Sequence, residues 1–369
     1  MNRIYDITPA DRDAAQAAHD HWSRIAKPLG SFGLLEEMIE KIASIQGSED
    51  VSLKNRTAVV MCADNGVVAE GISQSDQSVT ALSTAAIAAG RSNINALADA
   101  YQADVLAVDI GVAQDFAPDT RIGRETGECL RRSRAATAGA VLDRKISRGT
   151  GNIAAEPAMT RAQAQQALMT GMDIVRDLKT AGTNIIVTGE MGIGNTTIAS
   201  ALAAVYLDLP AEAVTGRGAG LTSAALEKKT AVVKQAIALH HPDPADPTDV
   251  LSKIGGYDVA GMAGLFLGGA VYGVPVIIDG VISAAAAYTA YLLNPLCTEY
   301  MLPGHVSAEP AGCLYLERLG LKAVINGQLR LGEGTGGILL LPLLDGALAL
   351  YRNAHTFSGL GIDAYTELK

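Results

Sequence analysis

The sequence has few aromatic residues and fewer basic than acidic ones, and each shortage excludes a class of protein. Aromatic residues make up 4% of the 369 residues, whereas there are 39 glycines. Small residues allow helices to pack closely on a sheet, so this composition favours an α/β fold over a β-sandwich. The 29 lysines and arginines stand against 39 acidic residues, a net charge of −10. That charge argues against binding to nucleic acid or to an anionic membrane.

Cysteine and long apolar runs are scarce as well. No pair of cysteines forms a C-x-x-C motif, so we expect neither structural zinc nor disulfides, but reduced thiols in a cytoplasmic protein. We expect no metal and no cofactor. No uncharged apolar run reaches about 18 residues and the first residues contain no apolar signal core, so neither a membrane span nor a signal peptide is expected. The cysteines are Cys62, Cys129, Cys297 and Cys313.

A short apolar strand, an acid beside a glycine and then a helix recur along the chain. The strands are predicted at 57–63, 104–111, 184–189 and 275–280. This βα repetition predicts a Rossmann-like parallel sheet covered by helices, with ligand loops at the carboxyl ends of the strands. Residues 1–54 have helical patterns over 10–26 and 34–45. We therefore predict a small helical domain from 1–54 with 346–369, and a large α/β domain over 55–345.

The most distinctive stretch is the glycine-rich turn at 332–337, which contains Glu333 and precedes an apolar run that predicts a buried helix. Free N–H groups at a helix start point at whatever occupies such a turn. The spacing alone leaves Glu333 either a helix-start charge or a functional acid.

A second glycine turn, 189–197, lies between a predicted strand and a predicted helix. This arrangement is typical of a site for an anionic group such as phosphate, although a tight turn without a ligand stays open. Gly189, Gly192 and Gly194 do not match G-x-G-x-x-G, and no P-loop lysine follows. That spacing argues against a generic Rossmann oxidoreductase.

Besides these two turns, the chain contains several other short motifs in a fixed order. The motif segments are 27–31, 63–71, 149–152, 156–160, 189–197, 216–218, 277–280, 305–310 and 331–336. Together they resemble one family over nearly the whole chain, nicotinate-nucleotide:dimethylbenzimidazole phosphoribosyltransferase, which makes the nucleotide loop of cobalamin.

The resemblance implies transfer of the 5-phosphoribosyl group of nicotinate mononucleotide to an aromatic base, with inversion at the anomeric carbon. Glu333 matches the family's catalytic base, and Glu190 matches a second active-site acid. The resemblance also implies a phosphate side and a base pocket. The phosphate side comprises Gly192, Gly194, Asn195, Lys229 and Ser307, and the base pocket comprises Ser75, Gln77, Met191 and Leu331. On sequence alone Lys229 would be a solvated helix residue. The family is dimeric, so a homodimer or a heterodimer with a homologous subunit is expected.

Three segments depart from the family pattern. Asp64-Asn65-Gly66 replaces Asp-His-Gly, 73–77 lacks the usual tyrosine and proline, and 311–313 lacks Gly-His-Arg. Ser75 could offer a hydrogen bond where ring stacking is reduced. We therefore expect an acceptor other than dimethylbenzimidazole, since some relatives activate phenol or p-cresol as pairs of unlike subunits. The alternative is a non-catalytic or partner-dependent paralogue, against which the retained Glu333 and Glu190 argue.

Overall fold

The computed structural model describes residues 6–132 and 139–365. The strands are β1 (Arg56–Ala63), β2 (Asp104–Gly111), β3 (Ile122–Gly123), β4 (Val141–Asp143), β5 (Ile185–Met191), β6 (Val276–Ile278) and β7 (Met301–Pro303). The α-helices are α1 (Arg12–Arg24), α2 (Leu34–Gln46), α3 (Ser78–Ala88), α4 (Asn93–Ala100), α5 (Thr126–Cys129), α6 (Arg161–Thr180), α7 (Asn195–Tyr206), α8 (Ala211–Val214), α9 (Ser223–His240), α10 (Pro247–Ile254), α11 (Tyr257–Tyr272), α12 (Val281–Leu293), α13 (Pro310–Arg318), α14 (Thr335–Ile338), α15 (Leu340–Asn353) and α16 (Phe357–Leu360).

The strands form one parallel sheet of 7 strands, in the order β3-β4-β2-β1-β5-β6-β7. The predicted α/β class is confirmed, and the four predicted strands correspond to β1, β2, β5 and β6. The others were not predicted, because they have two or three residues and, unlike β6 in the apolar run 274–278, they do not lie in an apolar run of strand length.

The strand order reverses at β1: β2 to β4 lie on one side of it and β5 to β7 on the other. β2 pairs with one side of β1 and β5 with the other, where Cys62 is in register with Met191. In a parallel sheet, the carboxyl ends of the strands at such a switch point border the ligand crevice. The loops that follow β1 and β5 are therefore where a site is expected.

Both faces of the sheet are covered, which explains why its strands are almost entirely apolar. Val59 and Met61 belong to the core under α6, α11 and α12. Ala58 and Val60 belong to the opposite core, with side chains of α1, α2 and α15. The stretch Thr335–Asn353 is long and apolar enough to cross a membrane by length and composition, but it lies in this second core.

The N-terminal helices pack against the C-terminal segment of the described residues. Ile25 forms an isolated antiparallel bridge with Thr356, and the rings of Trp22 and Tyr351 lie 4.9 Å apart. These contacts fit the predicted pairing of 1–54 with 346–369, although the division into two domains stays a prediction. Residues 1–5 and 366–369 of that predicted domain lie outside the described residues.

Candidate active site

A cavity of about 210 Å³ opens at the carboxyl edge of β5, β6 and β7. The loops that follow these three strands and the segment 329–336 supply most of its wall. Several of the residues predicted from sequence meet here: Glu190, Met191, Gly192, Asn195, Ser307, Leu331 and Glu333. Residues separated by more than a hundred positions therefore share one site.

The two glycine turns touch each other. A Cβ at Gly189 would lie 2.5 Å from the carbonyl oxygen of Glu333, too close for any side chain. Gly332 has a φ of +93°, and a Cβ there would lie 2.8 Å from Oε1 of Glu190. Gly189 must be glycine because only a bare backbone permits this approach, and Gly332 because its φ lies in the left-handed region that disfavours a side chain.

Glu333 has an unusual backbone. Its φ of +61° lies in the left-handed region, which is unfavourable for a residue with a side chain. Such strain concentrates at functional sites. Its carboxylate accepts hydrogen bonds from Nδ2 of Asn93 at 2.8 Å and from the backbone N–H of Ile94 at 3.1 Å. Both donors belong to the first turn of α4, so Glu333 bridges to a different helix from the one it precedes.

Glu190 is almost fully buried at the end of β5, with an exposed fraction of 7%. Its carboxylate accepts a short hydrogen bond from Nδ2 of Asn195. Burial and, to a smaller extent, the charges of Asp258, Asp279 and Glu333 raise the pKa of Glu190 to about 8, against the opposing effect of the hydrogen bond from Asn195. Glu190 is therefore largely protonated at neutral pH.

The predicted phosphate side is built around the start of α7. Gly194 is the N-cap of this helix with a φ of +95°, and Asn195 is its first residue. The Oγ of Ser307 accepts the N–H of Glu309 at 3.3 Å, and Ser307 lines the cavity. Unlike Ser307, Gly194 does not line it.

Lys229 lies directly behind the cavity wall. The side chain is fully buried, and Nζ donates to Oγ1 of Thr196 and to the carbonyl of Gly216, each at 3.0 Å. Thr196 lines the cavity, whereas Lys229 does not. Burial lowers the pKa of Lys229 to about 8, against the opposing effect of Glu309. One side chain thus separates this amine from the cavity.

Sequence reasoning missed Asp279 and His305 as site residues, although both lie in the matched motifs. Oδ1 of Asp279 accepts the N–H of Gly337 at 2.7 Å, and burial raises the pKa of Asp279 while His305 opposes the rise. Nδ1 of His305 is buried and has no partner among the described residues. A Cβ at Gly336 would lie 2.2 Å from the His305 ring. Asp279 could have been predicted as a site residue, because it is an acid beside a glycine at the end of β6. The buried surroundings of His305 are formed by residues distant in sequence, so no local pattern indicates them.

The residues predicted for the base pocket do not all meet. Met191 and Leu331 line the cavity, and Leu331 is 59% exposed. Gln77 instead donates to the carbonyl of Asn65 at 3.2 Å, and Ser75 is exposed in the loop before α3. Within 6–132 and 139–365, no group of three or more histidine, cysteine or acidic side chains is placed to hold a metal.

An acid-lined cavity at the switch-point edge of a doubly wound sheet, with glycine turns at its helix starts, defines a class of α/β enzymes that act on anionic ligands. A family model described as phosphoribosyltransferase matches residues 7–362. The chain belongs to this family, that of the nicotinate-nucleotide:dimethylbenzimidazole phosphoribosyltransferases, and it is a phosphoribosyltransferase.

Relatives and solved structures agree with this assignment. The nicotinate-nucleotide–dimethylbenzimidazole phosphoribosyltransferase of Clostridium acetobutylicum is 40% identical over 368 residues, 100% of this chain and 99% of the relative. The protein of the same name from Acetivibrio thermocellus is 43% identical over 341 residues, 92% of each chain. The crystal structure of CobT from Thermus thermophilus superposes with a TM-score of 0.85 at 35% identity, covering 95% of this chain and 99% of that one.

Proposed function

We propose that this enzyme transfers the 5-phosphoribosyl group of nicotinate mononucleotide to an aromatic lower-ligand base, giving an α-riboside phosphate and nicotinate for cobamide assembly. The observation that carries the proposal is Glu333, a carboxylate on a strained backbone that shares one cavity with Glu190 and Ser307. The names of the similar proteins support the same donor and the same type of acceptor.

In the proposed reaction the bond between the ribose anomeric carbon and the nicotinate nitrogen breaks, and its electron pair stays on that nitrogen. Nicotinate leaves as a neutral ring, so no general acid is needed. The acceptor attacks the opposite face of the sugar and loses its N–H or O–H proton to the carboxylate of Glu333. Glu190 faces the positive charge that develops on the ribosyl ring, and it stabilises that charge once ionised.

We assign the phosphate to the start of α7, with Gly192, Gly194, Asn195 and Ser307 around it. Lys229 contributes its charge through Thr196, or directly after a small movement of that side chain. Glycine turns at a helix start present free N–H groups to an anion.

The acceptor is proposed to be a phenol or a benzimidazole, held between Met191 and Leu331 with Ser75 and Gln77 nearby. The exposed position of Leu331 favours a pocket that a second subunit completes, in a homodimer or in a heterodimer with a homologous chain. A cytoplasmic setting is supported by the four unpaired cysteines, of which three are fully buried thiols.

The test is turnover of nicotinate mononucleotide by the purified chain, offered dimethylbenzimidazole and phenol in separate reactions. Product from either acceptor, with release of nicotinate, supports the proposal. More product from phenol than from dimethylbenzimidazole supports an acceptor other than dimethylbenzimidazole, whereas a strong preference for dimethylbenzimidazole refutes that idea. No product with the chain alone, but product after mixing with a homologous subunit, identifies the partner-dependent alternative.

A further inference from the structure

The carboxylate of Glu333 is held by α4, a helix to which the proposed reaction assigns no role. Oε1 accepts a hydrogen bond from Nδ2 of Asn93 at 2.8 Å, and Oε2 accepts one from the backbone N–H of Ile94 at 3.1 Å. Because each oxygen has its own directional donor, both the direction of the carboxylate and its plane are constrained. Asn93 does not line the cavity, so its connection to the site is through Glu333.

The two donors are part of a rigid support. Ile94 is fully buried, and α4 packs against both β2 and α14, the helix that follows Glu333. Oδ1 of Asn95 accepts hydrogen bonds from the N–H and the Oγ–H of Ser92, at 3.1 and 2.8 Å, within the first turn of α4. A functional side chain is positioned most precisely when rigid elements hold it.

The main chain of Glu333 is fixed by a different element. Its φ of +61° is unfavourable, and the close contact with Gly189 at the end of β5 keeps the backbone in place. A fixed backbone still leaves the side chain a choice of rotamers. The hydrogen bonds from α4 restrict that choice, so backbone and carboxylate are held from two sides.

Both donors to Glu333 are neutral. No salt bridge to Glu333 occurs within residues 6–132 and 139–365. A lysine or arginine partner would compete with an incoming proton for the carboxylate, whereas neutral donors orient the group without cancelling its charge. The two hydrogen bonds use two of the roughly four lone-pair sites of a carboxylate, so the group can still accept a proton.

Resting on the proposed function, we propose that Asn93 is a positioning residue, which holds the carboxylate of Glu333 in the orientation in which it takes the proton of the acceptor. Asn93 acts through Glu333 rather than on either substrate. Misplacing a reacting group by about 1 Å can lower a rate about a hundredfold. The N–H of Ile94 still holds one oxygen when the Asn93 contact is lost, so the loss of rate should then be smaller.

The same contact has a purely structural explanation, in which Glu333 caps the first turn of α4. The variant Asn93→Asp separates the two explanations. An acid in the first turn of a helix is favourable, so this variant preserves α4. It also lacks the N–H donor and places a negative charge beside Glu333. Positioning therefore predicts a large loss of rate in a folded protein, whereas capping alone predicts no loss.

The test compares the wild type with Asn93→Ala and Asn93→Asp in single-turnover rate, calorimetric affinity for nicotinate mononucleotide and Tm. We expect the rate to fall about tenfold in Asn93→Ala and about a hundredfold in Asn93→Asp, with donor affinity unchanged. In a Glu333→Gln background, Asn93→Ala should lower the rate no further, because the carboxylate through which it acts is absent. The control is Asn353→Ala, at an exposed asparagine of α15 whose Nδ2 donates to the carbonyl of Ala349 at 2.9 Å.

Two results would each overturn the proposal: an Asn93→Asp variant as fast as the wild type, and a loss in Asn93→Ala that adds to that of Glu333→Gln. A fall in donor affinity as large as the fall in rate would overturn it as well, because Asn93 would then support the whole site. Should Asn93→Asp fail to fold, Asn93→Leu has a similar size and also lacks the donor. A wild type that turns over no donor, alone or with a homologous subunit, would refute the proposed function and this inference with it.

Discussion

The proposed donor half and the proposed acceptor half of the site differ in how much of their wall a single chain supplies. In the proposed donor half, Glu190 and Lys229 are buried and Ser307 accepts a local hydrogen bond. In the proposed acceptor half, Leu331 is largely exposed and Ser75 is in a solvent-facing loop. The proposed donor half is therefore preorganised within the chain, whereas the proposed acceptor half is open. Changes in the donor half should affect donor binding and stability, and changes in the acceptor half should affect only the choice and affinity of the acceptor.

The largest effect is expected for Glu333→Gln, which should lower the rate of transfer by about 10²- to 10⁴-fold because a general base is lost. Donor affinity should change little, since the donor half is intact. Single-turnover rates and calorimetric binding of nicotinate mononucleotide separate the two quantities. Glu317→Gln, at an exposed position on α13, serves as the control. A loss of donor affinity as large as the loss of transfer rate would show that the two halves of the site do not act independently.

Lys229→Met should raise the KM for nicotinate mononucleotide by about 10- to 100-fold, the effect of losing a charge-assisted interaction. Acceptor KM should be unaffected. Lys228→Met is a matched control, because the adjacent Lys228 is exposed. If both variants bind donor equally well, Lys229 is a structural residue that supports Thr196 and Gly216.

Glu190→Gln should change how stability depends on pH. The pKa of Glu190 is raised from 4.5 to about 8 in the folded protein, so its contribution to stability is fully present below pH 4.5 and is lost as pH rises through 8. The melting temperature of the variant should therefore rise relative to that of the wild type as pH increases from 4.5 to about 8. Calorimetric Tm measured at several pH values provides the check. A Tm difference that does not vary with pH would mean that the folded and unfolded states ionise alike.

The smallest effect is expected for Leu331→Ala, which should raise acceptor KM several-fold and leave donor KM unchanged, because an exposed side chain loses little burial. Leu360→Ala, which alters a residue 52% exposed on α16, is the control. An acceptor KM raised by about a hundredfold or more would show instead that Leu331 is fully buried by a partner subunit or by the bound ring.

The sequence predicted those parts of the fold that have long local patterns. β1, β2 and β5 each have seven or eight residues, and their apolar runs were recognisable. β3, β4 and β7 have two or three residues and owe their existence to pairing with neighbours. Tertiary pairing cannot be read from so short a segment.

The position of Glu333 and Glu190 at one cavity was predictable from the family resemblance, although their roles stay predictions. Asp258 was not, because an acid in the first turn of a helix ordinarily interacts with the helix dipole. Only the fold shows that this position is fully buried and that its charge would raise the pKa of Glu190.

The contact between Gly189 and the backbone of Glu333 has a consequence for how such an enzyme diversifies. The residue proposed to serve the acceptor is anchored, through its own main chain, to the strand that holds Glu190 on the donor side. Loops proposed to contact the acceptor, including 73–77, can therefore be exchanged over evolution without moving the proposed base. A change of acceptor then requires substitutions only in these loops, while the distance between Glu333 and Glu190 stays the same.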